Sequence, residues 1–107
     1  MQVFKLIPAE LDANDWRSST WQSAVVVRAP SEKAARWAAS MAFRIATPSL
    51  PGVPVPGNPW RQEELVKVST LSPAEIAEAG WFAEGPVEIL EPPNHNEALL
   101  DVNWDRI

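Results

Sequence analysis

An α+β fold with one small mixed sheet follows from three features of the sequence. Trp21 to Ala29 carries an unbroken apolar centre, Ala24-Val25-Val26-Val27, expected of a strand buried on both faces. Glu32 to Ala46 repeats apolar residues at helical spacing. Glu64 to Leu71 then places Val66, Val68 and Thr70 on one face of a second strand. Strand, crossover helix and strand predict a βαβ unit, with Trp21–Ala29 paired parallel to Glu64–Leu71.

The remaining elements fall around that kernel. Val3 to Ile7 is a short β-prone run closed by Pro8, and the polar stretch Glu10 to Thr20 reads as an irregular turn. Ser31 is placed to cap the long helix, and Glu32 sits in its first turn, where the helix dipole favours negative charge. Trp37, Met41, Ala34, Ile45, Ala38 and Ala42 form an apolar arc; Lys33, Arg36, Ser40 and Arg44 form the opposite polar stripe. Thr47-Pro48 ends the helix.

Residues 48–60 form a proline-rich loop. Its five prolines and two glycines between Pro48 and Pro59 exclude helix and central strand. Ser72-Pro73-Ala74-Glu75 has the pattern of a capping box opening a short helix, which Gly80 ends. Val87 to Glu91 is a further strand. Leu100, Val102 and Trp104 alternate with Asp101, Asn103 and Asp105, the pattern of a half-buried terminal strand. Residues 1–107 therefore read as a single domain with four to five strands, one long helix and one short one. A variant of the ferredoxin-like arrangement is the expected topology. The run from Val27 to Arg36 also resembles strand-to-helix joints of small bacterial and phage domains, a likeness that implies no activity.

Composition narrows the chemistry. There is no cysteine, which excludes disulfides, thiolate nucleophiles and zinc–cysteine sites and fits a reducing cytoplasm. The N-terminal residues lack the apolar run of a signal peptide, and no stretch approaches the roughly 18 apolar residues of a membrane span. Alanine-rich, arginine-over-lysine usage hints, by association only, at a high-GC bacterial source. The net charge is −5 and unevenly spread: residues 1–54 carry +2 and residues 55–107 carry −7. Between Lys67 and Arg106 there are eight acids and no base. Direct nucleic-acid binding is disfavoured by such a surface.

Catalytic patterns are missing. No nucleophile elbow or phosphate-cradling glycine loop occurs. His95 is the sole histidine. Glu97 could orient it as a base, but its setting in Pro92-Pro93-Asn94-His95-Asn96 is that of a solvated loop. Asp101-Val102-Asn103-Trp104-Asp105 begins like a calcium loop, but Arg106 stands where glycine is required. No catalytic, cofactor-binding or metal-ligating residue is expected, and no cofactor.

Tryptophan is the anomaly, with six Trp against three Phe and no Tyr. Trp37 and Trp104 read as core. Trp16, Trp60 and Trp81 are the candidates for an exposed aromatic surface, with plugging of a small core as the plainer reading. Arg17, within Trp16-Arg17-Ser18-Ser19-Thr20-Trp21, and Arg61 are candidates for holding an anion. Lys33, Arg36 and Arg44 are candidates for meeting an acidic surface. Together these residues point to a non-enzymatic protein–protein interaction module or accessory subunit that self-associates or binds a protein partner. Two alternatives stand beside it. One is an acidic inhibitor that mimics nucleic acid, using Glu75, Glu78, Glu84, Glu88 and Glu91. The other is a small-ligand binder or enzyme with a tryptophan-lined pocket.

Overall fold

In a computed structural model covering residues 1–107, the longest strand, β1 (Gln2–Pro8), lies inside a four-stranded sheet. The other elements are β2 (Val25–Ala29), α1 (Glu32–Ala42), β3 (Val66–Thr70), α2 (Pro73–Glu78) and β4 (Glu88–Glu91). The spatial order is β3-β1-β2-β4, and every neighbouring pair is antiparallel. No helix is long and apolar enough to cross a membrane.

The α+β class, the single sheet and the pairing of one long helix with one short one agree with the sequence reading. The sheet, however, is antiparallel throughout, and the expected direct pairing of the two valine-rich strands does not form. β2 and β3 run in the same direction, but β1 is inserted between them. This is the split form of a βαβ unit. β1 is the longest strand and is buried on both faces, Phe4 and Leu6 on one and Val3 on the other, the pattern of a central strand that pairs along both edges.

The face built from Phe4, Leu6, Val25, Val27, Ala29, Val66 and Ile89 packs against α1. Ala34, Ala35, Ala38 and Ala39 let the helix backbone approach the sheet closely. The opposite face carries a smaller cluster of Val3, Val26 and Ile76, with Leu71, Trp81 and Leu90 packed on it.

The capping box of α2 forms as the sequence predicts. Ser72 Oγ accepts from the Glu75 N–H at 3.2 Å, and Glu75 Oε1 accepts from the Ser72 N–H at 3.0 Å. Those hydrogen bonds from Ser72, ahead of the nearby Lys5 charge, hold the Glu75 carboxyl below its usual range. Gly80, at φ 78°, closes the helix. Its N–H donates to Ala77 O and the Trp81 N–H to Ile76 O, which folds Trp81 back onto Ile76.

The expected terminal strand at Leu100–Asp105 does not form. Residues Glu97–Leu99 and Trp104–Arg106 are 3₁₀ turns instead. The place such a strand would take beside β4 is occupied: the Asn96 amide accepts from the Ile89 N–H and donates to the Ile89 C=O. A side chain thus stands in for a neighbouring strand.

Arg28, buried on β2, organises the 82–88 loop. Its guanidinium donates to Pro86 O at 2.8 Å and Phe82 O at 3.0 Å, and pairs with Glu88 Oε1 at 3.3 Å. Gly85 passes over this group at φ 134°, and a Cβ there would lie 2.7 Å from Arg28 Nη2. Gly85→Ala is expected to cost about 2 kcal/mol, from backbone strain and displacement of the guanidinium. Chemical denaturation checks it, and a variant as stable as the parent refutes this account of the loop.

Candidate functional site

The side of the molecule formed by the end of α1, residues 14–19 and the proline-rich loop gathers three of the sequence-selected arginines. The scaffold begins with a 3₁₀ turn at Asn14–Ser18 that pins the loop. Asn14 Nδ2 donates to Pro54 O at 2.9 Å, the Gly57 N–H donates to Asp15 Oδ1 at 2.7 Å, and Ser18 Oγ lies 2.8 Å from Gly57 O. Asp15 Oδ2 accepts from Gln62 Nε2 at 2.7 Å, so both carboxylate oxygens are engaged inside the scaffold. The polar turn read from the sequence is therefore a clamp on the stiff loop.

The chain leaving α1 is tied to the same turn. The Thr20 N–H donates to Phe43 O at 2.8 Å and the Ile45 N–H to Ser18 O at 3.0 Å, which sets Arg44 beside Ser19. Arg44 and Arg61 then line a polar depression of about 230 Å³ with Ser18, Pro56, Gly57 and Asn58. Pro56 separates it from a narrower cleft reached by Arg17. The Arg61 guanidinium stacks on Trp37, 4.1 Å from the ring centroid, a contact that holds the cation in place without neutralising it. Arg17 donates to Asn14 Oδ1 at 3.0 Å. None of the three has a carboxylate within ion-pair distance, since the protein's one salt bridge is Arg28–Glu88.

The other candidates are placed differently. Trp16 and Trp60 are each 1 % exposed and pack edge to face in the core, ring centroids 5.2 Å apart. Trp16 Nε1 donates to Ala9 O and Trp60 Nε1 to Ser19 Oγ, so both polar tips are satisfied internally. They plug the core under the loop and form no surface platform. Trp37, expected in the core, is only half-buried and serves as the stacking partner of Arg61.

Arg36 is not part of a solvent stripe. It is 9 % exposed and donates to Trp60 O, Gln62 O and Val66 O at 3.4, 3.4 and 3.1 Å. α1 is rotated from the orientation that hydropathy predicts. Its alanines fit the sheet, and the segment 59–62 covers the side bearing Arg36 and Ser40. Hydropathy counts arginine as outward-facing, but three converging carbonyls satisfy it inside. Lys33 stays exposed on α1.

Trp81 lies across the sheet, in a shallow hollow with Lys5, Val26, Leu71, Glu75, Glu78 and Glu91. Three of the five glutamates considered for a nucleic-acid mimic meet there, around the lysine. Glu88 is held by Arg28. His95 packs on Phe43, ring centroids 5.2 Å apart, and shares a depression with Glu97 without a hydrogen bond or ion pair between them.

The role of Ser18, Gly57 and Asn58 as walls of the arginine depression is not legible in the sequence. The signal present there, proline and glycine beside Asn58, marks a rigid loop but not what it faces. Comparison with protein-family models, with curated proteins and with solved structures finds no match.

Proposed function

We propose that this chain is a non-enzymatic protein-interaction module whose arginine-lined depression takes an acidic segment of a partner protein. The observation that carries the reading is that Arg44 and Arg61 share one polar hollow, with Arg17 next to it, and none has a carboxylate partner. Guanidinium forks arranged this way suit carboxylates, which they bind bidentately. The rigid loop and the Trp37 stack reduce the ordering cost of binding. A long polyanion such as nucleic acid would meet the net charge of −5, whereas a short acidic segment feels mainly the local field.

The test is calorimetric titration with a hexaglutamate peptide. Binding is expected at low salt and should weaken about tenfold or more as ionic strength rises to ~0.15 M. The Arg44→Glu, Arg61→Glu double variant should lose it, while Glu78→Gln on the opposite face should not. No binding, or binding indifferent to the double variant, refutes the reading.

A further inference from the structure

The sheet has two edges, β4 and β3, and they are treated differently. Asn96 closes β4 at Ile89. On β3, the hydrogen-bonding phase is set by the bonds at its two ends: the Ala9 N–H donates to Leu65 O and the Leu71 N–H to Val3 O. With the register Phe4↔Thr70, Leu6↔Val68 and Pro8↔Val66, these bonds direct residues 65, 67, 69 and 71 toward β1. The backbone groups of Val66, Val68 and Thr70 therefore point outward.

Val66 is already closed. Its N–H donates to Gln62 O, and its carbonyl accepts from Arg36. Val68 and Thr70 are not: two N–H and two C=O groups stand along the open edge, beside exposed Lys67, Ser69 and Thr70 side chains. Unpaired edges of this kind template strand addition.

We propose that the β3 edge pairs with β3 of a second copy of this chain, antiparallel about a two-fold axis at Ser69, to give a continuous eight-stranded sheet. The free groups themselves argue for this occupant. With Val68 opposite Thr70 of the second copy, each free N–H meets a free C=O, and four hydrogen bonds form with no orphan group left. Ser69 faces Ser69 of the second copy in the closely spaced, non-hydrogen-bonded position, where small side chains fit. Lys67, the strand's only charge, faces Leu71 of the second copy, so no like charges oppose each other. The closed Val66 marks where pairing stops. Because the axis is perpendicular to the sheet, both α1 helices stay on one side, and neither arginine depression is consumed.

The chain has no cysteine, so one introduced thiol reports the pairing. Ser69→Cys is expected to give a covalent dimer under mild oxidation, since facing residues in that position sit about 4.5 Å apart between Cα atoms, within disulfide range. Lys67→Cys should stay uncrosslinked, because the two copies of that residue lie about 13 Å apart along the strands. Val68→Pro, which removes an outward N–H and no intrachain bond, should make the protein monomeric by sedimentation while circular dichroism shows an intact fold. The Arg44→Glu, Arg61→Glu variant should remain dimeric, which separates this proposal from the peptide-binding one. A parent chain that sediments as a monomer at high concentration, crosslinking through Lys67→Cys instead, or a folded Val68→Pro dimer would each overturn it.

Discussion

Trp60→Ala is expected to cost about 4 kcal/mol. The indole is 1 % exposed, packs on Trp16 with ring centroids 5.2 Å apart and on Phe43 at 5.7 Å, and donates to Ser19 Oγ at 2.9 Å. Truncation opens a large void between α1, the 14–18 turn and the proline loop. It also leaves Ser19 Oγ without its indole donor. For a domain near this size, about 4 kcal/mol lowers the melting temperature by some 20 °C. Ser19→Ala keeps the indole but removes its acceptor together with the hydroxyl's two bonds to Trp21, and should cost about 2 kcal/mol, still well short of Trp60→Ala. If Trp60→Ala melts within a few degrees of the parent, the core assignment is wrong.

Arg36→Met is expected to cost about 3 kcal/mol, although methionine matches much of the arginine stem in shape. Trp60 O, Gln62 O and Val66 O would lose a shared donor in a place from which water is largely excluded. Arg36→Lys should recover little, because one ammonium cannot reproduce the planar fork across carbonyls of three residues. Lys33→Met, on the exposed side of the same helix, should stay within about 0.5 kcal/mol of the parent. Urea denaturation separates the cases. Equal midpoints for Arg36→Met and Lys33→Met would show that the guanidinium contributes nothing. The same contact also closes Val66, so the loss of Arg36 frees one more carbonyl on the β3 edge.

The contrast between Arg36 and Arg44 shows where sequence reasoning stops. Both sit on the stripe that helical periodicity marks as polar. One ends inside, on three carbonyls; the other lines an open depression. Periodicity reports the average preference of a residue type and has no knowledge of which backbone groups will need a donor. The same limit applies to tryptophan. Trp16 and Trp60 come from loop-like surroundings, yet the clamp formed by Asn14, Asp15 and Ser18 draws the proline-rich segment down and buries both.

Of the candidate site, the sequence carried Arg17, Arg44 and Arg61 as separate cations. Their meeting depends on the Ser19–Arg44 bridge and on the path of residues 54–58, which are contacts between segments far apart in the chain. The walls, Ser18, Gly57 and Asn58, bear no mark of their own.

Local chemistry alone determined the α+β class, the starts of both helices and the end of the short one. N-caps, the capping box and Gly80 act within a few residues, so their energies are settled before any long-range contact forms. Tertiary structure decided the strand order, the rotation of α1 and the absence of a terminal strand. The first two required distant segments to compete for the same place, β1 between the valine-rich strands and the 59–62 segment against Arg36, while in the third the Asn96 side chain took the edge of β4 ahead of the segment that follows it. Such competitions turn on burial and hydrogen bonds summed over the whole chain, a quantity that no window of sequence contains.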